Sequence, residues 1–183
     1  MAILPVTLYG DKILKKKAKH INSVTPEILS LIDDMFKTMK NADGIGLAAN
    51  QVGRNESLFI IDISPVKGYE HYKPIVFINP KIELFSDEKS IIEEGCLSLP
   101  GIRAEVTRPE GVRIIYEDIN NKVNSVEYNE LFARVIQHEY DHLQGIYFTD
   151  RIDEESQKIL KKSLNKIKNR KLDFDYPVTD KEK

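Results

Sequence analysis

The chain has no tryptophan, a single cysteine and no run of about 18 apolar residues that would cross a membrane. Only 9 of its 183 residues are glycine and 8 are proline, which excludes collagen-like and low-complexity architectures. The lone thiol, Cys96, excludes a disulfide framework and points to a reducing compartment. Neither sign of charge prevails: 27 basic against 29 acidic residues leave a formal charge of −2. That balance argues against wholesale binding to nucleic acid or anionic membrane, although a local basic patch remains open. Residues 1–10 lack a basic stretch followed by an apolar core, and Lys15, Lys16, Lys17 and Lys19 interrupt any apolar run in the next ten residues. The chain is therefore expected to stay where it is made, in the cytoplasm. Its 41% hydrophobic and 31% charged residues make a globular balance. One domain over 1–172 and a loose polar tail over 173–183 are expected.

Thr25-Pro26 is a helix start, and Ile28, Ile32, Met35 and Met39 repeat on one face as far as about Asn41. Residues 58–63 and 75–79 read as buried strands, with Pro80 forcing a bulged continuation into 82–85. Strands over 112–116 and 123–128 flank the turn signal Asn120-Asn121. Residues 131–143 are apolar nearly all round, a helix for the centre of the core. A last helix runs from about Asp153 to Asn169. The order predicts an α+β fold: short, mostly antiparallel strands around a central helix, with helices towards both ends.

That central helix carries Gln137-His138-Glu139-Tyr140-Asp141-His142. Four residues along a helix turn the direction by only about 40°, so His138 and His142 present their imidazoles to one point. This is bidentate metal ligation, with Glu139 beside it to handle the proton of a water. A hydrolytic site needs a third protein ligand and one open position. A third histidine three residues beyond Gly145 would complete one protease pattern, but Phe148 stands there. Glu154 and Glu155 are available, yet they sit at a helix start where acids are favoured anyway. Cys96, held in Gly95-Cys96-Leu97-Ser98-Leu99-Pro100 as in an ordered turn, is the better third ligand.

Asp43-Gly44-Ile45-Gly46-Leu47-Ala48-Ala49-Asn50-Gln51 imitates a dinucleotide fingerprint, but a helix precedes it where a strand is required. It reads either as a plain glycine turn or as backbone at Gly44 and Gly46 exposed to a ligand, with Gln51 as a directed amide donor.

Three segments together, Gly44 to Gln51, Glu94 to Ser98 and Gln137 to Leu143, resemble the G-x-G-L-A-A-x-Q, E-G-C-L-S and Q-H-E-x-D-H-L motifs of the peptide deformylase family. The resemblance implies a hydrolase that removes the formyl group from N-formylmethionyl nascent chains. It implies that Cys96, His138 and His142 bind one divalent ion with water in the fourth place, and that Glu139 is general base and then acid. It further implies that Gln51 and the Leu97 amide hold the formyl oxygen, and that Glu94 pairs with Arg108 to support the cysteine turn. Family members favour Fe²⁺, while Zn²⁺, Ni²⁺ or Co²⁺ also suit a thiolate–imidazole set. By helical phase and by this similarity, Ile45, Leu131 and Val135 are candidates for the methionine slot. Arg134 reads equally as facing that slot or as lying along the surface, and Arg103 as touching the peptide backbone or as solvated.

Two other readings stay open on the residues alone. One is a zinc endopeptidase; the other is a closed structural metal module with Asp141 as fourth ligand. Lys158, Lys161, Lys162, Lys166, Lys168, Arg170 and Lys171 crowd the last helix. They read as a solvated face or as a transient ribosome contact. A monomer with no membrane partner is expected.

Overall fold

The computed structural model describes residues 2–181; residues 1, 182 and 183, two of them in the expected tail, lie outside the described residues. Seven strands and three α-helices run in the order α1 (Pro26–Asn41), β1 (Gly46–Ala48), β2 (Leu58–Ile61), β3 (Ile75–Phe85), β4 (Lys89–Cys96), β5 (Leu99–Pro109), β6 (Gly111–Glu117), β7 (Val123–Asn129), α2 (Glu130–Leu143) and α3 (Glu154–Lys168). Five strands form one antiparallel sheet in the order β1-β2-β3-β6-β7, and β4 and β5 form a separate two-stranded hairpin.

Side-chain alternation places the layers. In β2, Leu58 and Ile60 join the α1 face with Ile28, Leu31, Ile32, Met35 and Met39. Phe59 and Ile61 face the other way, onto Phe132, Ala133 and Ile136 of α2. Strand β2 is thus buried on both faces, which is why it reads as a continuous apolar run. The hairpin face bearing Leu99, Ile102 and Val106 closes a third cluster with Val6, Leu8, Tyr147, Phe148, Leu164 and Ile167.

Helix α1 begins at Pro26 with the Thr25 hydroxyl accepting from the Ile28 N–H, and α3 begins with Asp153 accepting from the Ser156 N–H. Residues 75–85 are one strand rather than two, with a register shift between Ile78 and Lys81 where Asn79 takes φ +49° ahead of Pro80. Strand β4 alternates in burial but not in polarity: Lys89, Ile91, Glu93 and Gly95 are exposed while Ser90, Ile92, Glu94 and Cys96 turn inward, so each face mixes polar and apolar residues and the sequence shows no alternation. Cys96 is the last residue of β4, at the mouth of the tight turn through Leu97 and Ser98.

The expected loose tail is not loose over 174–179. Val6 and Val178 form a parallel bridge, the Val6 N–H donates to the Pro177 carbonyl at 2.8 Å, and Phe174, Tyr176 and Val178 pack on the third cluster. Composition misses this because the anchoring apolar side chains are spaced among polar ones.

Candidate metal centre

Helix α2 lies between the sheet and the hairpin, and its buried face carries Gln137, His138, Glu139, Asp141 and His142. The His138 and His142 rings sit 5.0 Å apart between centroids. The hairpin brings Cys96 to them: its Sγ is 3.2 Å from His142 Nε2, and one donor atom each from Cys96, His138 and His142 lie within 4.8 Å of one another. Among the described residues this is the one group of three such side chains.

The orientation of His138 is set from behind. Its Nδ1–H donates to Glu94 Oε2 at 2.8 Å, leaving the lone pair on Nε2 as the one that can ligate a metal. Glu94 also accepts from Arg108 Nε at 2.7 Å, Arg108 Nη2 at 3.0 Å and Arg134 Nη1 at 2.9 Å. Burial would raise the Glu94 carboxyl, but the hydrogen bonds from His138 and Arg108 outweigh it and hold it well below the usual carboxylate range. Glu94 and Arg108 thus pair as the motif resemblance implied.

Two observations test whether a cation fits. Burial pulls the His138 ring down, yet its interactions with Cys96 and Glu94 lift it well above the ordinary imidazole value. His142 goes the other way: burial, with the charge of His138, pushes its ring well below the ordinary imidazole value, so the preference for charge belongs to His138 alone. Glu139 Oε2 is buried beside it without a hydrogen-bond partner. A soft thiolate with two imidazoles is a donor set for Fe²⁺ or Zn²⁺. The residues fit a divalent transition metal.

Glu139 itself is pushed up to about 7, burial being the largest cause and the nearby Glu94 charge adding to it. It packs against β1: a Cβ on Gly46 would lie 2.5 Å from Glu139 Oε1. Gly44 is constrained in the same way, since a Cβ there would meet Leu97 Cδ1 at 2.9 Å. The glycine segment is therefore more than a plain turn; it lets Glu139 and Leu97 close onto it. The Gln51 amide is fixed by the Ala48 N–H, which donates to Oε1 at 2.8 Å. That aims Nε2 at Cys96 Sγ, 3.5 Å away, and at Ser98 Oγ, 3.3 Å away.

A cleft of about 520 Å³ opens onto these groups. All six residues expected to hold substrate line it: Gly44, Ile45, Gly46, Arg103, Leu131 and Val135. Gln51, Cys96, Leu97, His138 and Glu139 line it too. Arg103 is largely exposed at its rim and lies 3.6 Å from Glu93.

Some sequence readings resolve differently. Arg134 does not lie along the surface: it is buried, borders the cleft, and besides Glu94 it donates to the Val106 carbonyl at 2.8 Å and the Ser90 carbonyl at 2.9 Å. An arginine one turn before His138 on an otherwise buried helix face carried that signal, because it demands an acid. Asp141 is no fourth ligand. Its carboxylate accepts from Arg108 Nη1 at 2.7 Å and Arg151 Nε at 2.5 Å, and it is not in the donor cluster. Glu154 and Glu155 open α3 and are exposed. Arg170 is not part of the exposed basic face, since it donates to both Asp11 carboxylate oxygens, at 2.9 and 2.8 Å. Asp175 and Tyr176 line the cleft, and sequence reasoning missed both.

The chain is similar to known proteins over most of its length. The family model described as Polypeptide deformylase matches residues 3–158. A peptide deformylase of Chlorobium phaeovibrioides is 43% identical over 176 residues, 96% of this chain and 92% of the relative. That of Chlorobaculum tepidum is 43% identical over 176 residues, 96% of this chain and 94% of the relative. Among solved structures, Arabidopsis thaliana peptide deformylase 1B in complex with an inhibitor superposes with a TM-score of 0.85 at 39% identity, covering 92% of each chain. A Synechococcus elongatus peptide deformylase in complex with actinonin gives 0.79 at 41% identity, covering 87% of this chain and 85% of that one.

Proposed function

The chain belongs to the polypeptide deformylase family and hydrolyses the N-formyl group of newly made polypeptides, releasing formate; from that premise we propose that Cys96, His138 and His142 hold one divalent ion and that Glu139 moves the proton. The convergence of one sulfur and two imidazoles beside a buried, unpartnered carboxylate oxygen carries this reading.

A bound divalent ion supplies the Lewis acidity that lets water act as a nucleophile near neutral pH. Glu139 takes the proton of the attacking water and passes it to the departing amide nitrogen, so formate and a free N-terminus leave. A carboxyl held near 7 suits both halves of that transfer. The Leu97 N–H and Gln51 Nε2 donate to the oxyanion as the formyl carbon becomes tetrahedral. One such donor is typically worth ~10²–10³ in turnover. Ile45, Leu131 and Val135 receive the methionine side chain, the backbone at Gly44 and Gly46 borders the bound peptide, and Arg103 meets its chain at the rim.

The ion we assign is Fe²⁺, with Zn²⁺, Ni²⁺ or Co²⁺ accepted by the same donors. Formate release from formyl-Met-Ala-Ser under anaerobic Fe²⁺ loading is the test. Glu139→Ala is expected to keep the ion and lose turnover by about 10³ or more, and Cys96→Ala to lose the ion, by elemental analysis. Metal-replete protein inert toward that peptide defeats the reading.

No helix is long and apolar enough to cross a membrane among the described residues. We place the enzyme in the cytoplasm, where formylated chains emerge. We propose that it acts as a monomer over a single catalytic domain, since one chain supplies every donor and cleft wall. Exposed lysines at 158, 161, 162, 166, 168 and 171 support a transient ribosome contact through α3. Co-sedimentation with ribosomes at low salt is expected to weaken when four of them become glutamine; unchanged sedimentation removes the contact.

A further inference from the structure

Resting on the assignment of the Leu97 N–H to the oxyanion, we propose that Tyr176 is a positioning residue for deformylation and that residues 174–179 are a strap that completes the cleft. The strap lies beyond the residues that the family model matches, which end at 158.

Leu97 sits in the tight turn between β4 and β5, where few backbone groups pair within the hairpin itself. Two carbonyls of this turn are held from outside. The Tyr176 hydroxyl donates to the Leu97 carbonyl at 2.6 Å, and the Tyr9 N–H donates to the Ser98 carbonyl at 2.9 Å. With the Leu97 side chain pressed against Gly44, the residue is gripped on its side chain and on its carbonyl. Its N–H direction is then set by the backbone dihedrals these contacts restrict. An amide meant to meet an oxyanion gains from this, because a displacement of about 1 Å can cost ~10² in rate.

The strap is itself anchored. Arg170 donates to both carboxylate oxygens of buried Asp11 and to the Thr179 carbonyl at 2.9 Å, while the Thr179 hydroxyl donates to Asp11 Oδ2 at 2.9 Å. The Thr179 N–H donates to the Val6 carbonyl at 2.9 Å. These bonds flank Tyr176, whose side chain lines the cleft together with Asp175.

The test compares wild type, Tyr176→Phe and Tyr176→Ala, all full-length and metal-loaded, on formyl-Met-Ala-Ser. Tyr176→Phe keeps the ring and removes the donor. Its kcat is expected to fall about tenfold, a fraction of what a whole oxyanion donor is worth. Its KM, metal content and Tm are expected to stay near wild type, a split that a merely structural hydroxyl does not produce. Tyr176→Ala also removes cleft wall and is expected to raise KM. A Tyr176→Phe enzyme with wild-type kcat, or one whose loss of rate tracks loss of metal or of Tm, overturns the inference and leaves the assigned reaction intact. A wild-type enzyme that releases no formate overturns the reading beneath it, and the inference with it.

Discussion

Glu139 shows how much a single residue's surroundings decide. The same carboxylate on a solvated helix would ionise near its ordinary value and serve poorly as a proton donor at neutral pH. Buried, it rises to about 7 and can hold or release the proton. Its place depends on an absence of side chain across from it. A methyl group at Gly46 would lie 2.5 Å from Oε1 and 2.9 Å from Val135 Cγ1, so Gly46→Ala must move the carboxylate, the valine or the strand. Turnover of that variant is expected to fall about tenfold or more with its metal retained, as read by steady-state rates beside elemental analysis. Wild-type turnover in Gly46→Ala counts against this placement of Glu139.

At the scale of elements, the site is a joint between α2 and the β4–β5 hairpin. The helix supplies two imidazoles, and the hairpin supplies the sulfur and Glu94. A buried cluster binds the two: Arg108 joins Glu94 to Asp141, and Arg134 ties α2 to both hairpin strands. Removing one partner from such a cluster leaves buried charge uncompensated, at a cost of about 3–5 kcal/mol. Because the folded Glu94 carboxyl lies below its ordinary value of 4.5, its contribution to stability is fully present above that value and is lost as pH falls through the folded value. The Tm gap between wild type and Glu94→Gln is therefore expected to be wide at pH 7 and to narrow as the pH drops below about 4.5. A gap that stays constant with pH contradicts the ionised role of Glu94.

For the whole molecule, three apolar clusters hold the layers together without help from the ion. Chelated protein is accordingly expected to keep its secondary structure and to unfold cooperatively. Free ion at 1,000 times its Kd adds about 4 kcal/mol of stability. At roughly 2–4 °C per kcal/mol, chelation is expected to lower Tm by about 8–16 °C, measured by circular dichroism. Loss of all cooperative unfolding upon chelation identifies the ion as structural instead.

The sequence alone determined whatever depends on neighbours along the chain. Thr25-Pro26 and the period of Ile28, Ile32, Met35 and Met39 mark α1, Asp153 starts α3, and the four-residue spacing of His138 and His142 puts their rings on one face. Weighing the possible third ligands extended this to Cys96, and motif resemblance added the role of Gln51 and the pairing of Glu94 with Arg108. Only tertiary packing decided the rest. Arg134 gained its acid from a strand 40 residues away, and Asp141 was claimed by Arg108 and Arg151 rather than by metal. Tyr176 reached Leu97 across 79 positions. Helical phase and capping act over a few residues, whereas the partner of a buried charge or hydroxyl is whichever group the folded chain brings within about 3 Å, and no local pattern encodes that.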